Sequence, residues 1–194
     1  IGSLTRIFFS VIEDEFKESI RFNFFFNKSL NLKKPFVFKR KKIAIEKKAF
    51  ILNKPEIIIE IFHISHFKNL EIHPETLRLL SDCSKLIRKK QVNSKRSNKL
   101  FLEIISSDIN PRPILRLMNN TNVLGSFVPD FKKIIGLIQH DMYHHYTVDE
   151  HTFFAISEAH ELKDDRLTSK SDLAKKLIFE IDRFELLTVS LFLH

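Results

Sequence analysis

Six of the nine histidines fall in the last third of the chain, at positions 140, 144, 145, 151, 160 and 194. Imidazole is a common metal ligand and titrates near neutral pH. His140 and His144 stand four apart, a spacing that turns two rings to one helix face. No HExxH surrounds them, so surface or helix-end histidines are the plainer reading. His63, His66 and His73 lack acidic or cysteine partners in the sequence and read as structural. His151 and His194 stand apart from these. His151 sits in a first helical turn beside Glu150. His194 closes the apolar run Leu191-Phe192-Leu193, where a polar ring needs a partner. A cation gripped by two such rings lowers the pKa of its bound water and polarises a phosphoryl oxygen. Cys83, the single cysteine, forms no internal disulfide and reads as a half-buried helix residue with no catalytic neighbour.

The elements that would carry these side chains follow from hydrophobic period. Leu4 to Ile20 has Ile7, Phe8, Val11, Ile12 and Phe16 at helical spacing. Phe22 to Phe26 is an apolar cluster without a clear period. Pro35–Phe38 and Ile43–Ile45 flank the basic turn Lys39-Arg40-Lys41-Lys42 and predict a β-hairpin, the one convincing strand pair. Pro55 suits a first helical turn, and Ile57 to Phe67 follows as a buried helix. His73-Pro74-Glu75 opens another, with Leu77, Leu80, Leu86 and Ile87 as its apolar face. Gln91 to Asn98 reads as a polar linker. Helices are expected over 100–105, 113–118 and 131–142, with a loop at 119–130 that contains Gly125 and Pro129. Thr147-Val148-Asp149-Glu150 fits a capping box, Thr147 bonding the Glu150 amide and the Glu150 carboxylate reaching back to Thr147. Residues 163–170 read as a charged loop. Ser171 to Ile181 is amphipathic through Leu173, Leu177, Ile178 and Ile181. Leu186 to Leu193 is apolar almost all round and is expected to be buried.

The chain of 194 residues suffices for one large or two small domains, and 43% hydrophobic content with 29% charged residues describes a folding chain. Three glycines argue against Gly-rich phosphate loops and against a turn-dense β fold. Twenty phenylalanines without tryptophan are a compositional bias that carries no functional information. No apolar run approaches the ~20 residues that span a bilayer, and no signal peptide is visible. The net charge of +8 is uneven: residues 1–100 carry 22 Lys/Arg against 10 Asp/Glu, and residues 101–194 carry 10 against 14. The basic residues are scattered, so solvated lysine is a simpler reading than a nucleic-acid surface.

Phosphohydrolases of the HD class place one histidine early in a helix and a His-Asp pair at the end of a buried one. The separation of His151 and His194 suits that plan. The segment Gln139-His140-Asp141-Met142-Tyr143-His144-His145-Tyr146-Thr147-Val148-Asp149-Glu150-His151-Thr152 closely resembles the opening of the HD domain in the bacterial PII uridylyltransferase/uridylyl-removing family. Met118-Asn119-Asn120-Thr121-Asn122-Val123-Leu124-Gly125-Ser126-Phe127-Val128-Pro129-Asp130-Phe131 resembles that family's preceding loop. The stretches Asn69 to Leu79, Leu100 to Ile104 and Gly2 to Ile7 also resemble it, in family order. Leu191-Phe192-Leu193-His194 resembles the run into the family's His-Asp pair. Residues 21–60 match poorly.

The resemblance implies a mostly α-helical chain, bundle-like with one small β-hairpin, leading into the first helices of an all-α HD domain. Residues 1–138 would be the helical region after a nucleotidyltransferase domain, and 139–194 the truncated start of the HD domain. The chain begins at Ile1 and ends at an apolar helix, as expected of a central fragment. The implied parent moves UMP from UTP to a tyrosine of the PII signalling protein and hydrolyses it off again under glutamine control. His151 and His194 would be metal ligands for a divalent cation, Mg or Mn. No catalytic residue is assigned, and the fragment alone is expected to be inactive. Partners implied are PII, UTP/UMP and glutamine; neither membrane nor nucleic acid is expected, and the setting is cytoplasmic. Two rivals are a tRNA nucleotidyltransferase with an appended HD domain, and a basic helical nucleic-acid-binding module.

Overall fold

A computed structural model describes residues 32–89, 94–138, 146–164 and 172–194. The expected helix at 4–20, the cluster at 22–26 and His140, His144 and His145 lie outside them. The hairpin forms as expected. β1 (Phe36–Lys39) pairs antiparallel with β2 (Lys42–Ile45), Phe36 opposite Ile45 and Lys39 opposite Lys42. The turn residues Arg40 and Lys41 both adopt positive φ, 48° and 66°. A two-residue hairpin turn that matches strand twist demands this, although Asn-Gly meets the demand with less strain. The free edge of β2 is taken by the next connection: the Ile43 amide donates to Glu71 O at 2.8 Å and the His73 amide to Ile43 O at 2.9 Å.

α1 (Lys48–Asn53) leads to α2 (Ile57–Lys68), whose Ile57, Ile58, Ile59, Ile61 and Phe62 are all buried. A helix apolar on every side belongs in the middle of a bundle. It stops at Asn69, which takes the left-handed conformation (φ 49°) at the C-terminal cap. α3 (Pro74–Lys89) begins on a proline, whose missing N–H has no helical partner to lose at that position. α4 (Lys95–Ile105) begins inside the expected linker, because the Ser94 hydroxyl accepts from the Ser97 amide at 3.1 Å and caps it. α5 (Arg112–Asn120) extends the expected 113–118 helix at both ends.

Residues 119–130 depart from the expected loop. After Asn122, again left-handed, Val123–Phe127 forms a short helix, α6, with four of its five residues buried. The expected helix at 131–142 is also overturned over its described part. Phe131–Lys133 is a single 3-10 turn, and the chain leaves helical geometry at Gly136 (φ 71°). The Gly136 amide donates to the Asp149 carboxylate at 3.0 Å and the Val148 amide to Leu137 O at 2.9 Å. Tertiary bonds thus outcompete the local period.

α7 (Val148–Lys163), α8 (Asp172–Phe179) and α9 (Phe184–Leu193) complete the described chain. One apolar cluster runs from Phe36 to Phe192, and a smaller one joins Ala159, Ile178 and Phe184. Of the apolar face expected over 171–181, Ile178 is buried, while Leu173 and Leu177 face solvent. The burial expected of 186–193 fails over most of that helix. In α9 only Phe184, Thr188 and Phe192 are buried, and Leu193 is 72% exposed.

Candidate functional site

α7 begins where the sequence indicates, with Thr147 as the N-cap residue, but the capping box does not form. Thr147 makes no side-chain cap bond. The Glu150 carboxylate is drawn away to Arg116 Nε at 3.1 Å. Asp149 takes the more buried role: at 4% exposure its carboxylate accepts from Asn119 Nδ2 at 2.8 Å and from the Gly136 amide at 3.0 Å. The first turn of α7 is therefore pinned to α5 and to the Gly136 turn. Two carboxylates at a helix N-terminus also complement its dipole.

His151 is the next residue. Its amide closes the first turn on Thr147 O at 2.8 Å, and its ring lies on the exposed side of α7. His194 is the C-cap of α9, also exposed, with its amide bonded to Ser190 O at 3.0 Å. The two helices run antiparallel. At one end, His160 of α7 meets Phe184 of α9 edge-on at 4.9 Å, and Lys163 Nζ lies 4.4 Å above the same ring. At the other, Phe131 is sandwiched between Phe153 (5.6 Å) and Phe192 (4.9 Å, planes 2° apart). Phe192 also packs edge-on against Phe101. Phe153 stands two residues after His151, and Phe192 two before His194. This aromatic column therefore anchors the segments that bear both histidines at one end of the helix pair.

Two imidazoles do not close the shell of a divalent cation, which takes four to six or more ligands. Asp149 is committed to Asn119 and Gly136, and Glu150 to Arg116. Among the described residues no group of three His, Cys, Asp or Glu side chains is placed to hold a metal. The described donor set does not fit a complete metal centre, so no chemical step is derived through one.

The remaining described histidines serve the fold, with one correction. His63 and His73 do have acidic neighbours: His63 Nε2 lies 2.7 Å from Glu103, forty residues on, and His73 Nδ1 lies 3.8 Å from Glu75. His66 and His160 are interior, and each leaves Nε2 without a protein partner. Burial, reinforced by the charges of His63 and His160, lowers His66 to about 4. Burial and Lys163 push His160 below its ordinary value as well. Both are neutral at physiological pH. Cys83 is buried at 1% exposure, and desolvation raises its thiol pKa, as befits a packing residue. Nothing local in the sequence points to the roles of Arg116 and Asn119. Their partners lie about thirty residues away, and no local period announces such a pair.

Residues 36–127, from β1 through α6, match the family described as "Uridylyltransferase GlnD third domain". The hairpin and helices α1–α6 span that matched region. Along its whole length the chain is 33% identical to the bifunctional uridylyltransferase/uridylyl-removing enzyme of Azospirillum brasilense, covering 21% of that protein. It is equally 33% identical to the enzyme of the same description from Novosphingobium aromaticivorans, again over 21% of it. The chain belongs to the bifunctional uridylyltransferase/uridylyl-removing family, and it spans about a fifth of the length of the curated relatives it matches. No solved structure matches it.

Proposed function

We propose that this chain is the central part of an enzyme that uridylylates the PII signalling protein from UTP and hydrolyses the UMP off again, with glutamine as the controlling signal. The observation that carries this reading is the end-to-end similarity to enzymes described by both activities. Residues 36–127 act as the helical domain between the two chemistries. Residues 139–194 open the HD hydrolase domain, in which His151 and His194 contribute to binding a divalent cation, Mg or Mn. When bound, such a cation supplies an activated water and a Lewis acid for phosphodiester hydrolysis. This chain's own part is to hold two imidazoles at one end of the α7–α9 pair through Asp149 and the Phe153–Phe131–Phe192 column. The remaining ligands are furnished by residues outside those described. The reading fits a cytoplasmic enzyme, and no helix among the described residues is long and apolar enough to cross a membrane.

The test is to supply the full-length protein with PII and labelled UTP. Label should enter a PII tyrosine and be released when glutamine is added. A protein that is folded and does neither contradicts the proposal.

A further inference from the structure

A cleft of about 700 Å³ lies between α3, α6 and the 3-10 turn, remote in sequence from His151 and His194. Its size falls within the range of small-molecule sites. Ser81 and Lys85 come from one face of α3, four residues apart; Asn122 and Ser126 come from the start and end of α6; Lys132 comes from the 3-10 turn. Among the described residues neither Lys85 nor Lys132 pairs with a carboxylate, although the exposed Asp82 also lines the cleft. Elsewhere on the surface lysines do pair: Lys39 with Glu75, Lys133 with Asp130, Lys163 with Asp108.

Gly125 fixes one wall. A Cβ there would meet Ile135 Cδ1 at 2.8 Å and Lys132 Cβ at 3.2 Å. The missing side chain lets the 131–135 segment close down on α6, and that approach sets the stem of Lys132 at the cleft.

We propose that this cleft binds a small phosphate monoester with a hydroxyl-bearing organic part, of the class of nucleoside monophosphates and sugar phosphates. Two ammonium groups match the dianion of a phosphate monoester, and the Ser81 and Ser126 hydroxyls donate to its oxygens. Asp82 and the Asn122 carbonyl accept from ligand hydroxyls, and Asp82 disfavours an organic part that is itself anionic. The proposal stands apart from the hydrolase reading, since none of these residues belongs to the α7–α9 pair.

The experiment is titration calorimetry of the full chain with UMP, glucose 6-phosphate, uridine and glucose. The expected result is saturable binding of at least one phosphate ester, at least tenfold tighter than its unphosphorylated parent. Lys85→Gln and Lys132→Gln should each weaken it about tenfold, as for loss of one charge-assisted contact. Both lysines are exposed, so these variants should keep the wild-type urea midpoint; Ser126→Ala gives a milder, independent loss. UMP binding without glucose 6-phosphate binding assigns the nucleoside arm of the class, and the converse assigns the sugar arm. No saturable binding of either ester, binding equally tight for uridine or glucose, or binding that survives both lysine substitutions overturns the proposal.

Discussion

Asp149 should be the residue on which the start of α7 depends. Its carboxylate is 4% exposed and accepts two bonds, from Asn119 Nδ2 at 2.8 Å and the Gly136 amide at 3.0 Å. A hydrogen bond to a charged group contributes about 1.5–3 kcal/mol, and Asp149→Ala removes two of them. Release from burying a charge offsets part of that, leaving a destabilisation of about 2–4 kcal/mol. At roughly 2–4 °C per kcal/mol for a chain of this size, the melting temperature should fall by about 4–16 °C. Asp149→Asn should be far milder, within ~1 kcal/mol. Its oxygen can still accept from Gly136, and its new amide can donate to Asn119 Oδ1 once Asn119 flips. That oxygen is buried without a partner in the wild type. Urea unfolding of the full chain followed by far-UV circular dichroism measures both variants. An Asp149→Ala protein within ~0.5 kcal/mol of wild type, or an Asn variant as damaged as the Ala variant, refutes the assignment of this network.

Thr147→Ala should change stability by less than ~0.5 kcal/mol, because Thr147 makes no side-chain cap bond; a loss of ~1 kcal/mol in the same unfolding assay would mean that a capping bond forms after all. Phe192→Ala should cost about 3–5 kcal/mol, since the ring fills a buried slot between Phe131 and Phe101; a near-neutral effect in thermal unfolding would contradict the column. Stability should fall with acidification: His66 binds its proton near 6.5 when unfolded but only near 4 when folded, so the unfolded state gains protons first. The loss begins as pH drops through 6.5 and is complete below about 4, and His66→Phe should flatten that slope, leaving the share due to His160. An unchanged slope in the variant would exclude His66 as its source. Cys83→Ser in the full-length protein should leave UMP transfer and removal nearly unchanged; a large loss of either in a stably folded protein would give Cys83 a role that its buried, raised-pKa thiol does not suggest.

The parts of the fold written in local signals were legible. The hairpin is marked by β-branched and aromatic residues around a charged turn, and its pairing came out one residue beyond the expected strand at most. Pro74 marked the start of α3, and the Thr147 region marked the start of α7 to the residue. What failed were the segments decided by distant partners. The apolar period of 131–142 reads as a helix, yet Asp149 seizes the Gly136 amide and stops it. The Thr147/Glu150 spacing reads as a capping box, yet Arg116 offers Glu150 a charged partner that a backbone amide cannot match. Residues 123–127 lacked a visible period because five residues are too few to show one, and α6 is helical because its sides are buried. The candidate site was legible only in part. The positions of His151 at a helix start and His194 at a helix end follow the sequence reading, whereas the aromatic column that links their segments joins residues more than twenty positions apart.

The central claim is that this family member removes UMP at a site to which His151 contributes, separate from the site that adds it. The direct measurement is made on the full-length protein carrying His151→Ala, assayed in parallel for UMP incorporation into PII and for release of UMP from uridylylated PII. The account predicts release abolished with incorporation near the wild-type rate, and the same split for His194→Ala. A folded His151→Ala protein that still releases UMP at the normal rate contradicts it.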